Sequence, residues 1–372
     1  MHELIWANLK ARPIRTALSV AAVALQVFLL LFLMGLTTGI AREWSERVRG
    51  VGADLLIQPP NSSLFLAFSR AVLPEKLATR LARVKGVEVV SPVVAVVNTE
   101  GISLIYGIDF DSYDRLGRSE HGSDSGFLFY AGGPFQATDA YDVIIDDVKA
   151  RSQNYKVGDT VPGLLDADFR IVGIVEHGRG ARYFIPLKTA QKLLGVENRV
   201  SMFWVKTGGE TQVVRRRLMR LLPRYQVRPM DEYLSLMVSS NLPEVRSFTW
   251  AVTLVGLLIS FLVILLSMHT VVLERAREIG ILKALGASRW NITGLVIRES
   301  LAIAGLGLLV GIGSAYLVKF VVTSVRPTLS IDITVDWLLW ALAVAPLACL
   351  LGVLYPALRA ASADPVAVLA YE

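Results

Sequence analysis

Charge returns abruptly between two long apolar runs, and the residues that bring it are the most chemically suggestive in the chain. They are Glu274, Arg275, Arg277 and Glu278, followed by Lys283 and Arg289. Acids and bases interleaved in this way suit ion pairing with a soluble partner. Lipid headgroups alone would favour the bases but not Glu274 and Glu278. Between the charges Ile281, Leu282 and Leu285 recur at helical spacing, which predicts a helix with one apolar side. Gly280 lies inside this stretch, Gly286 reads as the helix stop, and Ser288 reads as the N-cap of the next helix. The pattern predicts a short amphipathic helix lying across the mouths of two membrane spans, then a sharp turn back into the bilayer.

Other chemistries are poorly provided for. No GxxxxGK[ST] phosphate loop occurs, so ATP hydrolysis by that route is not expected of this sequence. The histidines His2, His121, His177 and His269 are scattered without HExxH or paired spacing, so no metal site is expected. The acidic run Asp109, Asp111, Asp114 and Glu120 departs from a calcium loop, with Tyr113 and Asp114 where an oxygen ligand and a glycine are needed. Cys349 is the single cysteine and allows no internal disulfide. Catalytic, cofactor-binding and metal-ligating residues are therefore all expected to be absent, and the chain is not read as an enzyme.

The elements that would position the charged stretch are membrane spans. Hydrophobic residues make up 53% of the chain and charged ones only 19%, well below an ordinary soluble domain. The net charge of +6 does not form a basic stripe, which argues against nucleic acid. Residues 17–40 carry no charge and one amide, Gln26. At about 1.5 Å per residue they reach roughly 36 Å, enough to cross a hydrocarbon core of about 30 Å. Further spans are read at 248–272, 300–325 and 337–358, joined by the charged turn at 273–299 and a short outer loop at 326–336. Gly35 and Gly39, and again Gly307 and Gly311, stand at the GxxxG spacing of close helix packing. Lys10, Arg12, Arg15, Arg275, Arg277, Lys283, Arg289, Arg298 and Arg359 fall on one side of the spans, against Lys319 and Arg326 on the other. Both termini, 1–16 and 359–372, are thus placed in the cytoplasm. The ionisable residues within or beside the spans, Arg298, Glu299, Lys319 and His269, are read as interfacial and snorkelling.

The remaining large segment, 41–247, is expected to be a soluble α+β domain outside the cytoplasm. Strand, helix, strand is read at 53–58, 74–85 and 87–97, and again at 201–206, 211–222 and 225–228. Arg80-Leu81-x-Arg83 before Pro92 is echoed by Arg217-Leu218-x-Arg220 before Pro229. Such βα units can fold into one layer, with an inserted β-rich part at 98–200 protruding from it and a loop at 117–133. Asp231 is read as the cap of a helix at 231–240, and Pro243 as a hinge into the second span.

The stretch Glu274-Arg275-Ala276-Arg277-Glu278-Ile279-Gly280-Ile281-Leu282-Lys283-Ala284-Leu285-Gly286-Ala287-Ser288 resembles the cytoplasmic signature of the MacB/FtsX-type ABC permeases, including the LolCE-like ones. Asn8-Leu9-Lys10 before the first span, and Tyr355-Pro356-Ala357-Leu358-Arg359-Ala360 with Asp364-Pro365 after the last, agree with it. So does the order of one span, a large outer domain and three spans. The resemblance implies a membrane α-helical fold with four transmembrane helices, N-in and C-in, plus an extracytoplasmic α+β domain with a porter-like βα layer and an inserted subdomain. It implies a multi-pass protein of the bacterial cytoplasmic (inner) membrane that works with a separate ABC ATPase. That ATPase, and not this chain, would bind ATP and Mg. A second permease copy or paralogue would complete a dimer. A periplasmic adaptor, lipoprotein carrier or substrate-binding protein is a further expected partner, beside the lipid bilayer. In this reading the residues from Glu274 to Arg289 couple the ATPase to the spans, and Asp231 and Pro243 lie on the stalk. ATP hydrolysis would then drive the outer domain by mechanotransmission, for export or extrusion of drugs, peptides or lipoproteins. The alternative is an FtsX-like scaffold that activates a cell-wall hydrolase.

Overall fold

The computed structural model describes residues 13–60, 72–98, 103–118, 126–237, 243–274, 281 and 288–362. They fall into two compact units. One comprises the residues up to Gly39 with Pro243–Val325 and the chain from Leu329; the other comprises Ile40–Leu242 with Arg326–Thr328.

The first unit is helical. Helix α1 (Pro13–Gly50) is continuous over 38 residues, although the apolar run that starts it ends near residue 40. At about 1.5 Å per residue it is roughly 57 Å long, about twice a hydrocarbon core. Among the described residues, three helical stretches are long and apolar enough to cross a membrane: Thr16–Gly50, Arg289–Val325 and Val335–Arg359. A shorter apolar stretch, Thr253–Leu266, covers part of the second span read from the sequence. The α1 residues Val23, Val27, Leu31 and Met34 share a core with Ile303, Ala304, Ala345 and Cys349.

The second unit is built on a sheet. Strands β1 (Leu55–Gln58) and β2 (Leu73–Pro74) precede helix α2 (Leu77–Ala82) and strand β3 (Val87–Asn98). Later in the chain come β11 (Met202–Thr207), helix α6 (Thr211–Leu221) and β12 (Gln226–Pro229). Four of these strands lie in the order β12-β1-β11-β3, all antiparallel. This is the split βαβ arrangement, in which each βα unit places its strands apart and the other unit fills the gap. Alternation along the strands assigns the two faces. Leu55, Ile57, Phe203 and Val205 point to one core with Leu81 of α2 and Leu218 of α6. Leu56, Met202 and Trp204 point to the other, with Val48 of α1 and Val51 just after it. The two leucines of the echoed motifs thus do the same work, one on each helix.

Hydrogen bonding does not stop near residue 98, where an insertion was expected to begin protruding. Strand β4 (Ser103–Ile108) pairs antiparallel with β3, and β9 (Tyr183–Pro186) pairs parallel with β4. Then follow β6 (Asp142–Asp146), β8 (Ala167–Val175) and β5 (Phe129–Gly132), with β7 (Thr160–Leu164) also on β8. Part of the loop read at 117–133 is therefore ordered: Phe127 is buried and 129–132 are a strand; residues 119–125 lie outside the described ones. Between these strands lie α3 (Phe110–Gly117), α4 (Asp147–Gln153), α5 (Leu187–Leu193) and β10 (Arg199–Val200), and β10 pairs with β2. Asp109 caps α3 through Ser112 N, and Asp114 accepts from Phe127 N and pairs with Arg118. Asp109 and Asp114 are thus engaged in local contacts.

Candidate functional site

The charged turn is reached from both sides. Helix α8 (Pro243–Glu274) runs unbroken to Glu274, and α9 starts again at Arg289 and continues to Val325. Arg275, Arg277, Glu278, Gly280, Lys283 and Gly286 lie outside the described residues. Ser288 caps α9: its Oγ accepts from Asn291 N at 3.2 Å, leaving Arg289 and Trp290 exposed on the first turn. Behind the turn, α8 meets α10 (Val335–Ser362), which runs as one helix through Pro346 and Pro356. Arg359 Nη1 donates to His269 Nε2 at 3.1 Å, and the His269 ring stacks on Tyr355 at 6.4 Å between centroids.

The glycine pairs sit at close approaches. A β-carbon on Gly307 would stand 2.6 Å from Val23 Cβ, and one on Gly311 would stand 2.7 Å from Val27 Cβ. Successive turns of α9 therefore receive successive turns of α1. Further along α1, a β-carbon on Gly35 would meet Ile333 Cγ1 at 3.0 Å, and one on Gly39 would run into Ser330 O. Asp332 N also donates to Gly35 O at 2.8 Å, so these glycines seat the segment leading into α10.

Two expectations are corrected. Glu299 is only 5% exposed and lies inside the helix packing, beside Ser300, whose Oγ donates to Cys349 O. It is not an interfacial, snorkelling side chain. Asp231 is not the cap of its helix. Helix α7 (Met230–Met237) starts one residue earlier, because Met230 N donates to Asp54 O, and Asp231 lies in the first turn. There it faces the positive end of the helix dipole. Residues 238–242 lie outside the described ones, and Pro243 opens α8, where its missing N–H costs least.

The site that sequence reasoning missed is a buried ionic cluster in the second unit. Arg182 Nη1 donates to Asp146 Oδ2 at 3.1 Å, and its Nη2 donates to Glu43 Oε1 at 2.5 Å and to Thr328 O at 3.3 Å. Glu43 Oε1 also accepts from Arg47 one turn further along α1. The Arg182 and Asp146 side chains are 5% and 1% exposed. Burial pushes the Asp146 carboxyl up, against the opposing pull of Arg182. Asp146 also caps α4 by accepting from Lys149 N at 2.6 Å. Nothing local in the sequence marks these residues, since they meet only through the fold.

Two family models match the chain: the MacB-like periplasmic core domain over residues 16–220 and the FtsX-like permease C-terminal over 250–365. An uncharacterized ABC transporter permease of Methanocaldococcus jannaschii is 25% identical across 98% of this chain and 96% of its own length. The macrolide export ATP-binding/permease protein MacB of Hyphomonas neptunium is 23% identical over 100% of this chain, which spans 60% of that protein. The lipoprotein-releasing system transmembrane protein LolC of Haemophilus influenzae is 26% identical over 42% of this chain and 47% of its own. Among solved structures, the periplasmic region of MacB from Actinobacillus actinomycetemcomitans covers 50% of this chain and 92% of its own, at 18% identity and a TM-score of 0.38. With more than half the chain matched by the first model and most of the remainder by the second, this protein belongs to the MacB/FtsX-type family of ABC transporter permeases.

Proposed function

We propose that this chain is the permease subunit of an ABC transporter in which a separate ATPase drives an extracytoplasmic domain from across the membrane. The observation that carries the reading is α1, one unbroken 38-residue helix that starts in an apolar run and ends packed on the sheet of the second unit. A continuous helix transmits displacement along its axis without a joint to absorb it. In this reading the spans are four, at 17–40, 248–272, 300–325 and 337–358, with both termini cytoplasmic and 41–247 outside. Glu274, Arg275, Arg277, Glu278, Lys283 and Arg289 pair with the ATPase, while Gly280 and Gly286 shape the helix and its turn. Two permease copies or paralogues and two ATPase subunits make the working assembly in a cytoplasmic membrane. The names of the relatives, macrolide export and lipoprotein release, support amphiphilic envelope compounds as the substrate class.

The test is affinity purification of the full chain from membranes in mild detergent, beside a variant carrying Arg277→Glu and Glu278→Arg. The wild type is expected to bring down an ATP-hydrolysing subunit whose turnover the permease stimulates, and the charge-reversed variant to lose both. Equal recovery and equal turnover with the two would reject the coupling role.

A further inference from the structure

Arg182 is connected more widely than a surface ion pair would be. Its guanidinium holds Glu43 on α1, Asp146 at the junction of β6 and α4, and the carbonyl of Thr328. The first and third of these segments continue directly into apolar helices: Glu43 lies in the helix that begins at Pro13, and Arg326–Thr328 follows the end of α9 at Val325. The second is the start of α4, whose first turn depends on Asp146. Three segments far apart in sequence therefore share one side chain.

Such a cluster is a poor device for stability alone. Taking paired charges out of water costs roughly what their attraction returns, and apolar replacements are often as stable. What a guanidinium supplies is direction, since its planar fork fixes several donors at set angles where an ammonium offers a point charge. A second guanidinium, that of Arg47, meets the same Glu43 oxygen, so the carboxylate is held from two sides. The backbone around Arg182 is held as well: its N–H donates to Leu104 O and its carbonyl accepts from Asp146 N.

We propose that Arg182 is a positioning residue, the joint that makes the outer end of α1, the loop at 326–328 and the start of α4 move as one body. This rests on the reading of the chain as a force-transmitting permease, because only there does a rigid junction between these segments have work to do.

The test is hydrogen–deuterium exchange on the full chain in lipid nanodiscs, comparing wild type with Glu43→Gln and Arg182→Lys. Glu43→Gln is expected to raise exchange at least about tenfold in residues 147–153 and 326–334, although Glu43 bonds to neither, while β3, β4 and β11 keep their protection. Arg182→Lys, which keeps the charge and loses the fork, is expected to loosen all three segments. Changes confined to 40–50 in Glu43→Gln, or wild-type protection in Arg182→Lys, would overturn the joint. So would loss of protection spread evenly over the sheet, which would make the cluster an ordinary stabilising contact. A separate arm adds ATP to the wild-type chain purified with its ATPase. If the outer domain then shows no change in exchange, the proposed function fails while the joint is judged on the variants alone.

Discussion

Gly307 stands against Val23 so closely that a side chain at that position would have to displace one helix from the other: the β-carbon would lie 2.6 Å from Val23 Cβ and 3.2 Å from Val20 O. Close backbone approach of this kind is how helices gain dispersion contact where lipid removes the hydrophobic drive to associate. Gly313, on the same helix, has nothing within 4 Å of its β-carbon position among the described residues. Gly307→Val is therefore expected to destabilise the helical unit by about 1–3 kcal/mol through overpacking. Gly313→Ala is expected to be neutral or slightly stabilising, since alanine exceeds glycine by up to about 1 kcal/mol in a helix. Thermal unfolding of both variants in detergent checks the contrast, and equal midpoints would contradict it.

Ser288 provides a second, local prediction. Its Oγ satisfies the N–H of Asn291 at the start of α9, immediately after the charged turn. Ser288→Ala is expected to cost about 1 kcal/mol of local helix stability and Ser288→Asp very little. The measurement is amide exchange over 289–293, which should accelerate in the alanine variant and stay near wild type in the aspartate one.

Lys149 gives the second unit a pH signature. Its ammonium lies 5.5 Å from the Tyr183 ring centroid, and burial lowers its pKa below the ordinary 10.5, with Arg182 adding to the effect. The folded state then binds fewer protons than the unfolded one between the lowered value and 10.5, so stability rises with pH through that window. Below the window the lysine is charged in both states and the penalty for burying it is fully present. Lys149→Met should remove that rise. The check is the difference in unfolding midpoint between wild type and variant, followed from pH 7 to 11; a difference independent of pH would refute the assignment.

Much of the second unit was legible because its signals are local. Alternating apolar residues marked β1, β3 and β11, and Leu81 and Leu218 marked the buried faces of two short helices. Ser288 was legible for the same reason, as a capping residue two positions after Gly286. What escaped depends on residues brought together by the fold. Glu43, Asp146 and Arg182 lie in three separate parts of the sequence, and each alone reads as a solvated charge. Glu299 looked interfacial because Arg298 precedes it at the start of an apolar run, yet the helix turns the two apart and only Glu299 is buried. Asp231 was misplaced by a single residue, since the donor that starts α7 is the Met230 N–H and its acceptor, Asp54 O, is distant in sequence.

The turn that carries Arg182 yields the last prediction. Gly178 and Gly180 both have positive φ, 92° and 93°, where a side chain is strained. They differ in surroundings. A β-carbon on Gly178 would meet nothing within 4 Å, whereas one on Gly180 would lie 2.7 Å from Tyr106 Cε2 and 2.7 Å from Tyr113 Oη. Tyr113 is itself fixed there, its hydroxyl donating to Arg179 O at 2.7 Å, and both rings are buried. Gly178→Ala should therefore cost only the backbone term, about 1–2 kcal/mol. Gly180→Ala should cost that plus about 1–3 kcal/mol for overpacking. Because the clash pushes on the segment between Arg179 and Arg182, Gly180→Ala should also weaken the hold on Asp146 and speed exchange in α4. Unfolding midpoints and α4 exchange in the two variants decide the matter: if Gly178→Ala proves as damaging as Gly180→Ala, the aromatic wall is not what constrains this turn.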